Sequence, residues 1–184
     1  MDLILLEPGD SLFNDRDGEV DGLLIDEQWH ASTSTFGKCI ALLSFHPINH
    51  SASSMKESSN DAPSENLLFT ELIFEKYVDR TSVNLLSYCL AAKPLGNKEK
   101  PVKLHRLCEY SGSTRSVITF AMRDVLISNM QIQPSPSGQP VEQLSLNFTE
   151  ILCHCTTLNA AGETMNDFTR GWSATHNHAI SAFT

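Results

Sequence analysis

Residues 141–157 read VEQLSLNFTEILCHCTT, and their apolar positions decide the fold. Leu144, Leu146 and Phe148 fall on one side at a period of two, the signature of a half-buried strand. At Thr149-Glu150 the phase slips by one residue. Ile151, Cys153 and Cys155 then carry the apolar side onward. A one-residue slip in a period of two is what a β-bulge produces, and a bulge lets a long strand bend around a core.

The same signal recurs upstream. Ser116 to Ile132 alternates through Ile118, Phe120 and Met122, then shifts at Arg123-Asp124 to Val125 and Ile127. Val102 to Tyr110 is a further strand, followed by a turn at Ser111-Gly112-Ser113. Pro134 to Gly138 is a hairpin-scale loop, and Gly171-Trp172 to Ala179 is a last strand. Nearer the start, Gly22–Asp26, Cys39–Phe45 and Leu67–Val78 read as strands. In the last of these Leu72, Phe74 and Lys76 oppose Ile73, Glu75 and Tyr77. One helix interrupts the pattern. Thr81 is placed to cap it and Asp79 adds favourable charge at its start. Val83, Leu86, Cys89 and Leu90 make its apolar stripe, and Pro94 and Gly96 end it. The pattern predicts a mainly β protein, an antiparallel two-sheet β-barrel with one flanking α-helix.

Two stretches fall outside that regularity. Residues 1–20 read as an N-terminal extension carrying one edge strand, leaving 21–184 as a single barrel domain. Ser51 to Glu65, rich in Ser, Asn, Asp, Glu and Pro, reads as a long surface loop. It is either a functional segment or a tolerated insertion.

The 184 residues suit one domain with a real core. Thirteen Lys and Arg against 22 Asp and Glu give a charge of −9, which disfavours binding to nucleic acid or an anionic membrane. The run Leu3–Leu6 is far short of the roughly 20 apolar residues a spanning helix needs. Asp2 precedes the run, no basic segment leads it, and Glu7-Pro8-Gly9-Asp10 ends it, so no signal peptide is expected. Five cysteines are an odd number and suit reduced thiols in a cytosol. Cys89, Cys153 and Cys155 are expected as buried, unbonded and metal-free.

Cys153-His154-Cys155 has the look of a metal motif, but on a strand the sulfurs and the imidazole face opposite ways. His176 and His178 share a face and would complete a site only from an adjacent strand. Arg123-Asp124 reads as a surface pair at the bulge rather than an acid–base couple. No nucleophile elbow, phosphate loop or dinucleotide glycine pattern is present. The expectation is therefore no catalytic, cofactor-binding or metal residue and no cofactor.

Several segments, in order, resemble the haemolysin-coregulated protein (Hcp) family of type VI secretion systems. Asp21–Ile25 is similar to the family's first strand and Gly37–Phe45 to its second. Phe74-Glu75-Lys76-Tyr77-Val78-Asp79-Arg80-Thr81-Ser82-Val83-Asn84-Leu85 is the most specific match, a strand running into the helix. Arg123–Ser128, Glu142–Phe148 and Gly171-Trp172-Ser173 resemble later strands, so the likeness runs over about residues 21–179. It implies a structural protein and not an enzyme. Copies would close into a ring of six, and rings would stack into a tube. The implied partners are the spike, sheath and baseplate proteins and small effectors held in the lumen. The implied location is the cytoplasm before assembly, then export by the type VI apparatus. Two alternatives stay open: a divergent cargo-binding ring that builds no long tube, and a small metal-binding barrel enzyme.

The reading of the 51–65 loop has a direct check. Deleting residues 53–64 should leave the melting temperature nearly unchanged, because little buried area is lost and loop closure entropy varies slowly with length. Secretion from cells with an active type VI apparatus should fall. An unfolded deletion variant would make the loop part of the core.

Overall fold

The structure is a computed structural model that describes residues 2–9, 12, 39–47, 71–110, 113–134, 136, 138–159 and 161–184. Eleven strands and one helix run in the order β1 (Asp2–Glu7), β2 (Ile40–Leu42), β3 (Ser44–Pro47), β4 (Leu72–Tyr77), α1 (Thr81–Leu90), β5 (Val102–Tyr110), β6 (Ser113–Arg123), β7 (Leu126–Gln133), β8 (Val141–Asn147), β9 (Glu150–Leu158), β10 (Thr164–Ser173) and β11 (His178–Ile180). They form two antiparallel sheets. A seven-stranded sheet has the order β11-β10-β9-β6-β5-β1-β2, and a four-stranded sheet the order β3-β4-β8-β7. The core lies between them. Leu6, Ile40, Leu104 and Met122 from the first sheet meet Leu72, Phe74, Leu144 and Leu146 from the second, with Leu85 of α1 closing one side.

Both phase slips fall where the chain leaves one sheet for the other. β6 pairs with β9 in the large sheet, and β7 pairs with β8 in the small one. The slips are corners between sheets rather than bulges within continuous strands, and each corner keeps the apolar side inward. Asp124 takes a left-handed backbone, φ 51°, to make the first turn. The two corners lie side by side. Thr149 donates its N–H to the Arg123 carbonyl at 3.0 Å and its hydroxyl to Asp124 at 2.6 Å. A third change of sheet splits the predicted Cys39–Phe45 strand. β2 belongs to the large sheet and β3 to the small one, and the N–H of Leu43 between them donates to the Glu75 carbonyl at 2.7 Å.

Other expectations are corrected. β1 is no edge strand: it lies between β2 and β5, with Leu5 and Leu6 fully buried. Gly171-Trp172 ends the ten-residue β10 rather than opening a last strand, and β11 follows after a turn. Gly171 is required by close approach, since a Cβ there would lie 2.1 Å from the Ile151 carbonyl oxygen. Ser113 already belongs to β6. The Gly22–Asp26 strand, the His30–Thr35 loop, residues 111–112 of the turn and the 51–65 loop lie outside the described residues.

The helix differs most from its reading. Thr81 is its first residue and not its cap. The Asp79 carboxylate accepts from both the N–H and the hydroxyl of Thr81. The buried face carries Ser82, Leu85 and Tyr88, whereas Val83 is 72% and Leu90 79% exposed. The helix also ends at Leu90, ahead of Pro94. Lys93 N–H donates to the Tyr88 carbonyl and Ala92 N–H to the Cys89 carbonyl, the paired bonds of a Schellman end. That end puts Ala92 at φ 46°, where glycine is the usual occupant.

Because Ala92 is exposed and left-handed, Ala92→Gly should raise stability by about 0.5–1 kcal/mol, the relieved Cβ strain exceeding the added chain entropy. Urea denaturation measures this, and a loss of stability would show that the helix end is not left-handed in solution.

Candidate functional site

Lys76 sits at the end of β4 with its inward phase, next to Phe74 and Leu72. A pure hydrophobic pattern would place an apolar residue there. Instead Lys76 and Glu142 of β8 face each other directly in the register, and both are fully buried. Their side chains meet at 2.7 Å. The Lys76 ammonium also donates to the Tyr77 carbonyl at 2.8 Å and to the Ser82 hydroxyl at 3.2 Å, with Asp79 3.0 Å away. Ser82 passes its own proton to Glu142 at 2.9 Å and accepts the Asp79 N–H. One network therefore ties β4, β8 and the start of α1 together.

The outer face of the large sheet carries a polar row. The register aligns Thr169, His154, Thr119 and His105 across β10, β9, β6 and β5. His154 Nδ1 meets the Thr169 hydroxyl at 2.8 Å. His105 Nδ1 meets Thr119 at 3.1 Å, and its Nε2 lies 3.4 Å from the Glu7 carboxylate. The hydrogen bond with His105 holds the Glu7 carboxyl below its ordinary range. Burial opposes this, and Lys103 at 3.6 Å adds to it. Carboxylate, imidazole and hydroxyl in a row have the makings of a proton relay. Here the imidazole is buried and the Thr119 hydroxyl is shared with Ser116 at 3.0 Å, so the row serves to link strands. No sequence spacing announces it, because the residues come from positions 7, 105 and 119.

At the corner, Arg123 turns away from Asp124. It lies 3.6 Å from Glu150, donates to the Thr184 carbonyl at 2.6 Å and stacks on Phe183. Burial raises the Glu150 pKa, but hydrogen bonds from Thr184 and Ser173 and the Arg123 charge more than offset this and leave it low. The expected surface pair is thus two separate contacts, Arg123 with Glu150 and Asp124 with Thr149.

Cys153 and Cys155 face inward opposite Phe120 and Ile118, and His154 faces outward, so the three do not converge. His176 lies in the turn between β10 and β11 and His178 opens β11 opposite Ser173, which pairs with Glu150 and not with Cys153. Among the described residues no group of three or more His, Cys, Asp or Glu is arranged for a metal. Cys89, Cys153 and Cys155 are unbonded but only half-buried. Cys39 is the buried thiol, and burial pushes its pKa up to about 12. No helix of the described residues is long and apolar enough to cross a membrane.

Among the described residues, two sheets meet at bent corners, one helix is locked by a buried ion pair, and hydrogen bonds along a polar row join strands. Comparison with known proteins places this fold in a family. The sequence model of the family described as "Type VI secretion system effector, Hcp" matches residues 31–154, well over half of the chain. The protein belongs to the Hcp family, whose members are tube proteins of the type VI secretion system and not enzymes. Solved structures share its fold. A type six secretion system protein superposes with a TM-score of 0.69 at 16% identity, over 98% of this chain and 100% of that one. Hcp1 from Salmonella typhimurium gives 0.66 at 22% identity, over 97% and 99%. Secreted protein Hcp3 from Pseudomonas aeruginosa gives 0.57 at 10%, over 89% and 94%. No curated protein sequence matches the chain.

The buried network makes a sharp energetic prediction. Lys76→Met should cost about 3–5 kcal/mol, because it strands a charged Glu142 in the core. The double variant Lys76→Met, Glu142→Leu should recover most of that loss, since well-packed apolar residues replace buried ion pairs at little cost. Denaturation of the two single variants and the double variant measures the coupling. Additive losses would show that the pair does not act as a unit.

Proposed function

We propose that this chain closes into a ring of six and that rings stack into the tube of a type VI apparatus, carrying small effectors in the lumen. Its partners are further copies of itself and the spike, sheath and baseplate proteins. The barrel domain takes in β1 together with residues 21–184, because β1 is built into its large sheet. The chain is cytoplasmic until assembly and leaves through the apparatus.

The observation that carries this reading is the family match over residues 31–154 on a two-sheet fold. Surface features support it. Among the described residues, the sheets end in β11 and β2 on one and β3 and β7 on the other. Closed cyclic assembly protects such edges from runaway pairing. Met165 and Phe168 on β10, Ile132 on β7 and Val83 and Leu90 on α1 are large apolar side chains left at the surface of a single copy.

Native mass spectrometry and electron microscopy of the purified protein test the reading. Hexameric rings are expected at micromolar concentration, and stacked rings at higher concentration. Rings that never stack would favour the divergent cargo-binding ring. A strict monomer at high micromolar concentration would overturn ring formation.

A further inference from the structure

The β10–β11 hairpin turns through residues 174–177 and sets His176 and His178 beside each other. Both are exposed, and their rings stack with centroids 5.7 Å apart at an interplanar angle of 24°. Neither belongs to the tube protein's strand-linking polar rows. What distinguishes them is the hydrogen bonding of their Nδ1 atoms.

His178 Nδ1 lies 3.0 Å from the Ala179 carbonyl oxygen. A carbonyl only accepts, so this nitrogen carries the proton and Nε2 of the neutral ring is a bare lone pair. His176 Nδ1 lies 3.1 Å from the Ser173 hydroxyl. That hydroxyl stands on the direct cross-strand partner of Glu150. It also accepts the His176 backbone N–H at 3.3 Å. A serine hydroxyl accepts as well as donates, so Ser173 accommodates an Nδ1–H on this ring too, the tautomer in which Nε2 of His176 is also bare. Among the described residues neither Nε2 has a partner.

An Nδ1–H held by a carbonyl or hydroxyl, with a free Nε2, is how proteins present imidazole to a metal ion. The spacing of the rings suits one shared ion. Zinc binds about 2.0–2.1 Å from an imidazole nitrogen, hence about 3.2 Å from the ring centre, so two rings on one tetrahedral ion have centres about 5.2 Å apart. The observed separation of 5.7 Å differs from this by only about half an ångström, a shift that exposed side chains make by turning about Cβ–Cγ.

We propose that His176 and His178 form a two-point chelate for a borderline divalent cation such as Zn²⁺, Ni²⁺ or Cu²⁺. Imidazole suits these ions and not Mg²⁺ or Ca²⁺. The two Nε2 atoms supply two ligands and water fills the remaining positions. Ser173 is a positioning residue: its hydroxyl meets both Nδ1 and the backbone N–H of His176.

The test uses the untagged full chain and Zn²⁺ alone. Side-chain ¹H–¹⁵N NMR of the metal-free protein should show the Nδ1–H tautomer at both residues. Titration should then move the two Nε2 signals together with one equivalent of zinc. His176→Gln and His178→Gln should each lower the affinity by at least about tenfold, while His154→Gln leaves it unchanged. Melting curves check that both exposed substitutions leave the fold intact. An Nε2–H tautomer at either residue, no binding at one equivalent, or equal zinc affinity in the double variant would overturn the proposal. The tautomer readout needs no variant and stands whether or not the chain assembles into rings.

Discussion

A lysine ammonium cannot be left alone in a hydrocarbon core, and that constraint organises this molecule. Lys76 and Glu142 are both wholly buried and pair at 2.7 Å. Stranding either charge would cost several kcal/mol, so the two must stay opposite each other. They are direct cross-strand partners, and a one-residue slip of β4 against β8 would turn one of them to the other face. The pair thus sets the register of the small sheet. Through Ser82 and Asp79 it also sets where α1 begins and which face the helix turns inward.

The second constraint is the shared corner. Two long strand pairs leave one sheet and enter the other at neighbouring places, joined by Thr149 to Arg123 and Asp124. The chain's last described residues pack onto this corner, where Phe183 lies under Arg123 and Thr184 bonds Glu150. Bending together lets both sheets keep their apolar sides on a common core. A single strand bending alone would leave ladder bonds unpaired.

Function follows from surfaces more than from a pocket. Polar rows across the large sheet are spent on strand-to-strand bonds, while large apolar side chains on β7, β10 and α1 remain outside. A tube protein of the Hcp family has need of this arrangement. Its faces must meet further copies. The exposed stripe on α1 is one example. The helix turns Leu85 and Tyr88 into the core and Ser82 to the Lys76 network, and leaves Val83 and Leu90 outside.

The sequence by itself determined the class of fold. Period-two alternation in residues 116–132 and 141–157 is a local property, and the slips at Arg123-Asp124 and Thr149-Glu150 mark where the chain bends. The family likeness was legible too, above all in Phe74–Leu85. What the tertiary structure alone decided were the facts set by distant partners. β1 proved interior because Leu5 and Leu6 meet β5 and β2, which no local pattern records. β10 was unreadable before Gly171 because its first half is exposed on both sides and carries no alternation. The helix showed an apolar stripe, but its inner face was chosen by an ion pair reaching 66 residues along the chain. The stacking of His176 on His178 was likewise hidden, since it depends on the turn that folds β11 back along β10. Periodicity reports what a segment can bury; only the assembled sheets report what it is buried against.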